Sequence, residues 1–197
     1  QKVDARDDDD DGYRKLDLVE VQQRGEQLGD AVLRVIESDD LKPVEGKLEW
    51  TQVMVEIDTD LPSHDELQQH LASSQAYIVE WAQHHLDLLA AGTPAKRKFD
   101  FEVQTLRIGR DLAVVGLAGE MSVEYGLHYR YRFGADYTAV WTLGYTNEMV
   151  GYVPVQRQIS EGGYEVVDNN RRLLYTGPFG AATEGRIDKA VARALSA

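Results

Sequence analysis

Hydrophobic and polar positions divide the chain into a succession of helical and extended segments. Leu28, Ala31, Val32, Val35 and Ile36 fall on one face of a 3.6-residue repeat, which predicts an amphipathic helix over about residues 19 to 37. Lys42-Pro43 and Gly46 end that unit. From Leu48 to Ile57, Val53, Val55 and Ile57 alternate with polar partners, the period of a strand. Ser63 followed by Glu66 three residues later is a capping box. The stripe Leu67, Leu71, Ile78, Ala82, Leu86 and Leu89 then predicts a single helix, the longest of the chain, stopped at Gly92.

The second half alternates more quickly. Phe99, Phe101 and Val103 take every other place, a turn follows at Gly109-Arg110-Asp111, and Leu112 to Leu117 is continuously apolar. This predicts a hairpin whose second strand is central and buried on both faces. Ala118, Gly119 and Glu120 come next, and Val123, Leu127 and Tyr131 at helical spacing set the apolar face of a helix, so Glu120 stands at a strand-to-helix junction. Ala139 to Leu143 is a further short strand. The Gly-, Asn- and Pro-rich stretch from Gly144 to Gly163 is too long and too aromatic for a plain connector, and Gly185 to Ala197 closes the chain as a helix. With no repeat and no domain-splitting linker, the fold class is α/β, a mixed β-sheet packed with helices in a single domain spanning 16–197.

Composition changes this picture in three places. The 197 residues can bury one substantial core, and 43% hydrophobic with 28% charged residues is ordinary for a globular domain. A formal charge of −13 repels phosphate backbones and argues against nucleic acid or an anionic membrane surface as the partner. No apolar run approaches the roughly 20 residues that cross a bilayer, so the chain is expected not to be transmembrane. With no cysteine, any metal must be held by His, carboxylate, Tyr or backbone oxygen, and the redox compartment cannot be read.

The first 15 residues form an acidic arm, expected to be flexible. Asp7, Asp9, Asp11 and Gly12 match the opening of a calcium loop, but its ninth and twelfth positions are Lys15 and Leu18 where the loop needs a closing Glu, so the arm is expected to bind no calcium. The histidines, His64, His70, His84, His85 and His128, include no His-x-His pair, and His84 and His85 point to different faces of a helix. They are expected to be solvated or capping groups. No Gly-x-Ser-x-Gly elbow is present. What remains is the cluster Gly119-Glu120, Gly144-Tyr145-Thr146-Asn147, Gly151-Tyr152-Val153-Pro154 and Glu161-Gly162-Gly163-Tyr164-Glu165, whose segments leave the carboxyl ends of strands, where open α/β sheets place their ligands. A carboxylate at a helix N-terminus stays ionised and can coordinate a cation. The same residues also suit a plain reading, with tyrosines buried in turns and a glutamate opening a helix.

Over about residues 99 to 168 the chain resembles the C-terminal half of the catalytic domain of the neutral/alkaline ceramidases, zinc-dependent amidases of sphingolipid metabolism, and most closely their bacterial ceramidase-like relatives. In that family a Gly-Glu pair after a buried strand supplies a zinc-binding carboxylate, matched by Gly119-Glu120. An Asn five residues before a zinc-binding Tyr and a second active-site Tyr twelve residues after it are matched by Asn147, Tyr152 and Tyr164. The resemblance implies a hydrolase acting on a small-molecule or lipid amide such as ceramide, with Glu120 and Tyr152 as zinc ligands and Tyr152 and Tyr164 as catalytic groups. The chain departs from the family at Met121-Ser122-Val123 and at Pro154-Val155, which weakens lipid specificity. The family's two histidine ligands come from an N-terminal half without a counterpart here, so zinc and activity are expected only with an upstream segment of the same protein or a partner chain. The alternative is a non-catalytic interaction module that keeps the scaffold.

Overall fold

A computed structural model describes residues 16–38 and 40–196, and by its contacts the chain forms two compact units, Gln1–Pro43 and Val44–Ala197. The acidic arm with Asp7, Asp9 and Asp11 lies outside the described residues. The first unit contains α1 (Leu18–Ile36), opened by a reciprocal cap. The Asp17 carboxylate accepts the Glu20 amide at 2.8 Å, and the Glu20 carboxylate accepts the Asp17 amide at 3.3 Å. None of its residues is buried.

The second unit is built on a four-stranded sheet of β1 (Leu48–Asp58), β2 (Lys98–Ile108), β3 (Leu112–Leu117) and β5 (Ala139–Leu143), in the order β1-β2-β3-β5. The first three strands are antiparallel, and β3 pairs with β5 in parallel. A parallel neighbour requires a crossover, which α4 (Val123–Phe133) supplies. The two-residue strands β4 (Glu120–Met121) and β6 (Tyr152–Val153) form a separate parallel ladder beyond the end of β3. The mixed sheet packed with helices agrees with the fold class expected from the sequence.

Period-two alternation determines which side chains enter the core. Val53, Ile57, Phe101, Val103, Val115 and Val140 point to one face and pack with residues of α4 and of α7 (Thr183–Ser196). At about 1.5–3 kcal/mol for each large side chain removed from water, this face holds the unit together. The opposite face carries Trp50, Leu106, Val114 and Trp141 in one register row, with Trp50 67% and Trp141 59% exposed.

Three expectations are corrected. The helix begun at Ser63 is two helices, α2 (His64–His70) and α3 (Ala76–Ala90), so the longest helix is α1. Between them the Ser73 hydroxyl accepts the Gln75 amide at 3.2 Å, an alternative to the helical bond that ends one helix and starts the next. The stripe survives the break because the two helices fold against each other, gathering Leu67, Trp81, Ala82 and Leu86 into a second core cluster. In α4 the expected buried face is the exposed one. Val123, Leu127 and Tyr131 are 75%, 57% and 89% exposed, while Tyr125, Tyr129 and Phe133 are buried. Both triplets have i, i+4 spacing, and the more aromatic triplet removes more apolar area. Finally, β3 is central but fully buried on one face alone, since Leu112 and Val114 remain partly exposed on the other. The helices α5 (Gln156–Glu161) and α6 (Asn169–Arg172), with a π-helical turn at Tyr164–Asp168 between them, complete the stretch expected to be more than a connector. Among the described residues no helix is long and apolar enough to cross a membrane.

Candidate site at the carboxyl ends of the parallel strands

The parallel strands β3 and β5 both end at one edge of the sheet, and the chain leaving each folds back across the other. After Leu117 the backbone passes through Ala118 and Gly119 into β4. After Leu143 it passes through Gly144 to Asn147, where the Tyr145 amide donates to the Gly119 carbonyl at 2.8 Å and the Thr146 amide to the Leu117 carbonyl at 3.1 Å. Gly119 also permits the close approach of the Val150–Val153 segment, because a Cβ there would lie 2.9 Å from Val153 Cγ2 and 3.1 Å from the Gly151 carbonyl oxygen.

Glu120 and Tyr152 are register partners in the β4–β6 ladder, anchored by the Glu120 amide donating to the Gly151 carbonyl at 2.9 Å. Paired positions on neighbouring strands project side chains to the same side, so both side chains leave the ladder together. The Tyr145 phenol stands near the Glu120 carboxylate, and its pKa is raised, first by partial desolvation and then by that carboxylate. Nothing in the spacing of the sequence singles Tyr145 out, because its place depends on a left-handed backbone (φ 55°); the Gly144 before it and the Asn147 after it are the available signal.

Asn147 is also left-handed (φ 62°), and its amide donates to the Glu102 carboxylate at 2.7 Å, tying the loop to β2. Tyr164 opens the π-helical turn, which packs against β6, and it is half-exposed, with the Arg172 guanidinium 5.9 Å from its ring centroid. A nearby open cleft of about 240 Å³ is lined by Met121, Ser122, Gly126, Arg130, Thr142 and Gly144, without Glu120, Tyr145 or Tyr152.

The histidines lie elsewhere, and His64, His70, His85 and His128 each have a polar partner. His70 stands 3.1 Å from the Arg171 guanidinium, and its pKa is lowered by burial and then by that charge. His128 meets the Asp188 carboxylate at 3.1 Å, and His64 lies 3.5 Å from that of Asp65. His85 differs from the solvated or capping role expected of it: it is buried in the second cluster, with Nε2 3.2 Å from the Tyr175 carbonyl, and burial lowers its pKa. Among the described residues, no group of three or more His, Asp or Glu side chains is placed to hold a metal ion. Glu120 and Tyr152 thus supply an oxygen-only donor pair, which fits zinc in part: a catalytic zinc site takes at least three protein ligands. No family model, no curated protein and no solved structure matches the chain.

Proposed function

We propose that the edge formed by Glu120, Tyr145 and Tyr152 is one half of a metal-assisted amide-hydrolysis site, completed by histidine ligands from another segment. The observation that carries this reading is the register pairing of Glu120 with Tyr152, with the Tyr145 phenol near the carboxylate. Glu120 and Tyr152 would hold the ion, Tyr145 would orient the carboxylate, and Tyr164 would stand toward the developing oxyanion. A zinc ion bound there would polarise the amide carbonyl and acidify its water. The nearby cleft, with apolar Met121 and cationic Arg130 among its walls, has room for a short N-acyl group.

Ligand counting predicts weak zinc binding and no N-acyl amine hydrolysis by the 197 residues alone, and chelator-sensitive hydrolysis once the native upstream segment is joined to them. Glu120→Ala in the extended protein should abolish turnover. Chelator-sensitive turnover by the shorter chain, or an extended protein indifferent to Glu120→Ala, would refute the proposal. A second reading, an interaction module without catalysis, is favoured by a separate observation, the exposed apolar row on the sheet.

A further inference from the structure

Independent of the hydrolase reading, the helix side of the sheet holds a second cavity, of about 150 Å³, between α4 and α7. Its polar wall follows from two helical repeats. Glu124 and His128 stand one turn apart on α4, and Glu184 and Asp188 one turn apart on α7. Tyr125 and Tyr129, one turn apart on the buried side of α4, line it as well. The His128 ring meets the Asp188 carboxylate across the gap at 3.1 Å.

The charges around this cavity do not balance. Arg132 pairs with Asp188, and Arg157 is shared between Glu124 and Glu161. Glu184 meets no cation among the described residues, and its carboxylate accepts the Gln156 amide at 2.6 Å. Four carboxylates thus face two guanidiniums and one imidazole, so at least one negative charge is unmatched even with His128 protonated. Carboxylates gathered at a surface need nothing more than solvent, and the independent pointer to a ligand is Tyr129. This side chain is 0% exposed, lines the cavity, and has a hydroxyl without a hydrogen-bond partner among the described residues. Its pKa is raised, first by burial and then by Tyr125 and Asp188, so the oxygen is a neutral group within the field of the cavity's own carboxylates.

We propose that this cavity binds a small primary amine in its ammonium form, with Glu184 as its charge partner and the Tyr129 hydroxyl as an acceptor. An anionic ligand would meet the unmatched carboxylate. A metal ion would need donors converging to about 2.0–2.6 Å, and no group of three or more His, Asp or Glu side chains among the described residues is placed to provide them. An ammonium group asks for less convergence, because its three N–H donors reach acceptors on separate walls at about 2.8–3.0 Å. The rings of Tyr125 and Tyr129 suit both the charge and an alkyl stem. Size limits that stem. At about 30 Å³ for each water in the liquid, the cavity matches roughly five waters, which leaves room for the ammonium and about two to four carbons.

The test is an NMR titration of the full chain with propylamine, at neutral pH in a buffer free of other amines. Saturable shifts confined to α4, α7 and the start of α5 are expected, with a Kd of about 1 mM, the range open to a ligand of so few atoms. Glu184→Gln keeps an acceptor for the Gln156 amide but removes the charge, and should weaken binding at least about tenfold. Tyr129→Phe should weaken it about fivefold, the loss of one hydrogen bond, without lowering the Tm of the ligand-free chain. Propanol, which has the stem without the charge, should not saturate. Blocked lysine should bind more weakly than propylamine, because its ammonium carries a peptide backbone that the cavity has no room for. Shifts that fail to saturate by about 20 mM propylamine would overturn the proposal, as would binding indifferent to Glu184→Gln or Tyr129→Phe. Tighter binding of blocked lysine would overturn the free-amine assignment in favour of a polypeptide side chain, and tighter binding of calcium would overturn it in favour of a metal site.

Discussion

Two tyrosines one turn apart on α4 allow the hydrogen-bond reasoning to be tested with a single oxygen atom. Tyr125 and Tyr129 are 2% and 0% exposed and share one core. Burial, reinforced by the nearby carboxylates Glu184 and Asp188, pushes both phenols far above their ordinary pKa, so each is a neutral donor at any physiological pH. The Tyr125 hydroxyl donates to the buried Pro154 carbonyl at 3.2 Å, whereas that of Tyr129 has no hydrogen-bond partner among the described residues. Replacement by Phe leaves ring packing intact at both positions. At Tyr125 it removes a hydrogen bond and strands a buried carbonyl, which should cost about 1–2 kcal/mol. At Tyr129 it removes a hydroxyl buried without compensation, which should be neutral or stabilise by up to about 1 kcal/mol. Tyr125→Phe and Tyr129→Phe should thus separate by about 2 kcal/mol, roughly 4–8 °C in Tm for a unit of this size. Urea unfolding at neutral pH, with equal slopes for the two variants, measures the difference. A loss at Tyr129→Phe as large as at Tyr125→Phe would refute the argument. It would mean that the hydroxyl is satisfied from the adjoining cavity of about 150 Å³, lined by Glu124, His128, Glu184 and Asp188.

Two further outcomes follow from the second cluster. Trp81 is 2% exposed, packs with Leu67, Ala82 and Leu86 and donates its indole N–H to the Tyr175 carbonyl at 2.5 Å, so Trp81→Ala should cost about 3–5 kcal/mol in chemical denaturation. A loss under about 1 kcal/mol would mean that α2 and α3 contribute little to the fold. His85 has a lowered folded pKa, so between that value and about 6.5 the unfolded chain binds the extra proton; stability should be complete above about 6.5 and fall as pH drops through this window. His70 acts in the same direction. Unfolding free energies measured from pH 7 to 5 should show a shallower slope in His85→Gln than in the parent, and an unchanged slope would rule the buried histidine out as the cause.

The strands were legible because their period of two is unbroken: Phe99, Phe101 and Val103 alternate with charged residues, and the Gly109-Arg110-Asp111 turn sets the register of β2 with β3. The division of α2 from α3 was hidden because the apolar stripe continues through it, and the break depends on a serine hydroxyl competing for one amide. The buried face of α4 was ambiguous in principle, since two apolar triplets with the same spacing overlap and only the partners on the sheet decide between them. The bare face was masked for a related reason. Trp50 and Trp141 are ordinary strand residues by propensity, and only their alignment across the sheet makes a patch. At the candidate site, Glu120 was placed correctly at a strand-to-helix junction from element order alone. Tyr145 was not assigned a role, because its approach to Glu120 depends on a backbone conformation that no pattern of apolar residues encodes.

That conformation also bears on function. Within seven residues, Tyr145, Asn147 and Gly151 adopt positive φ, and of these Tyr145 has neither the absent Cβ of glycine nor the short amide of asparagine to ease it. A left-handed tyrosine costs about 1–2 kcal/mol relative to an ordinary turn residue. The segment holds this arrangement with backbone bonds from Tyr145 to Gly119, Thr146 to Leu117 and Glu120 to Gly151, and with the Asn147 side chain on Glu102. A loop that merely returned the chain from β5 to α5 could relax through any residue with negative φ. Here the strained residue stands near Glu120, the residue that is paired in register with Tyr152. Strain gathered at the carboxyl ends of two parallel strands is what makes this edge the place to test the proposed site.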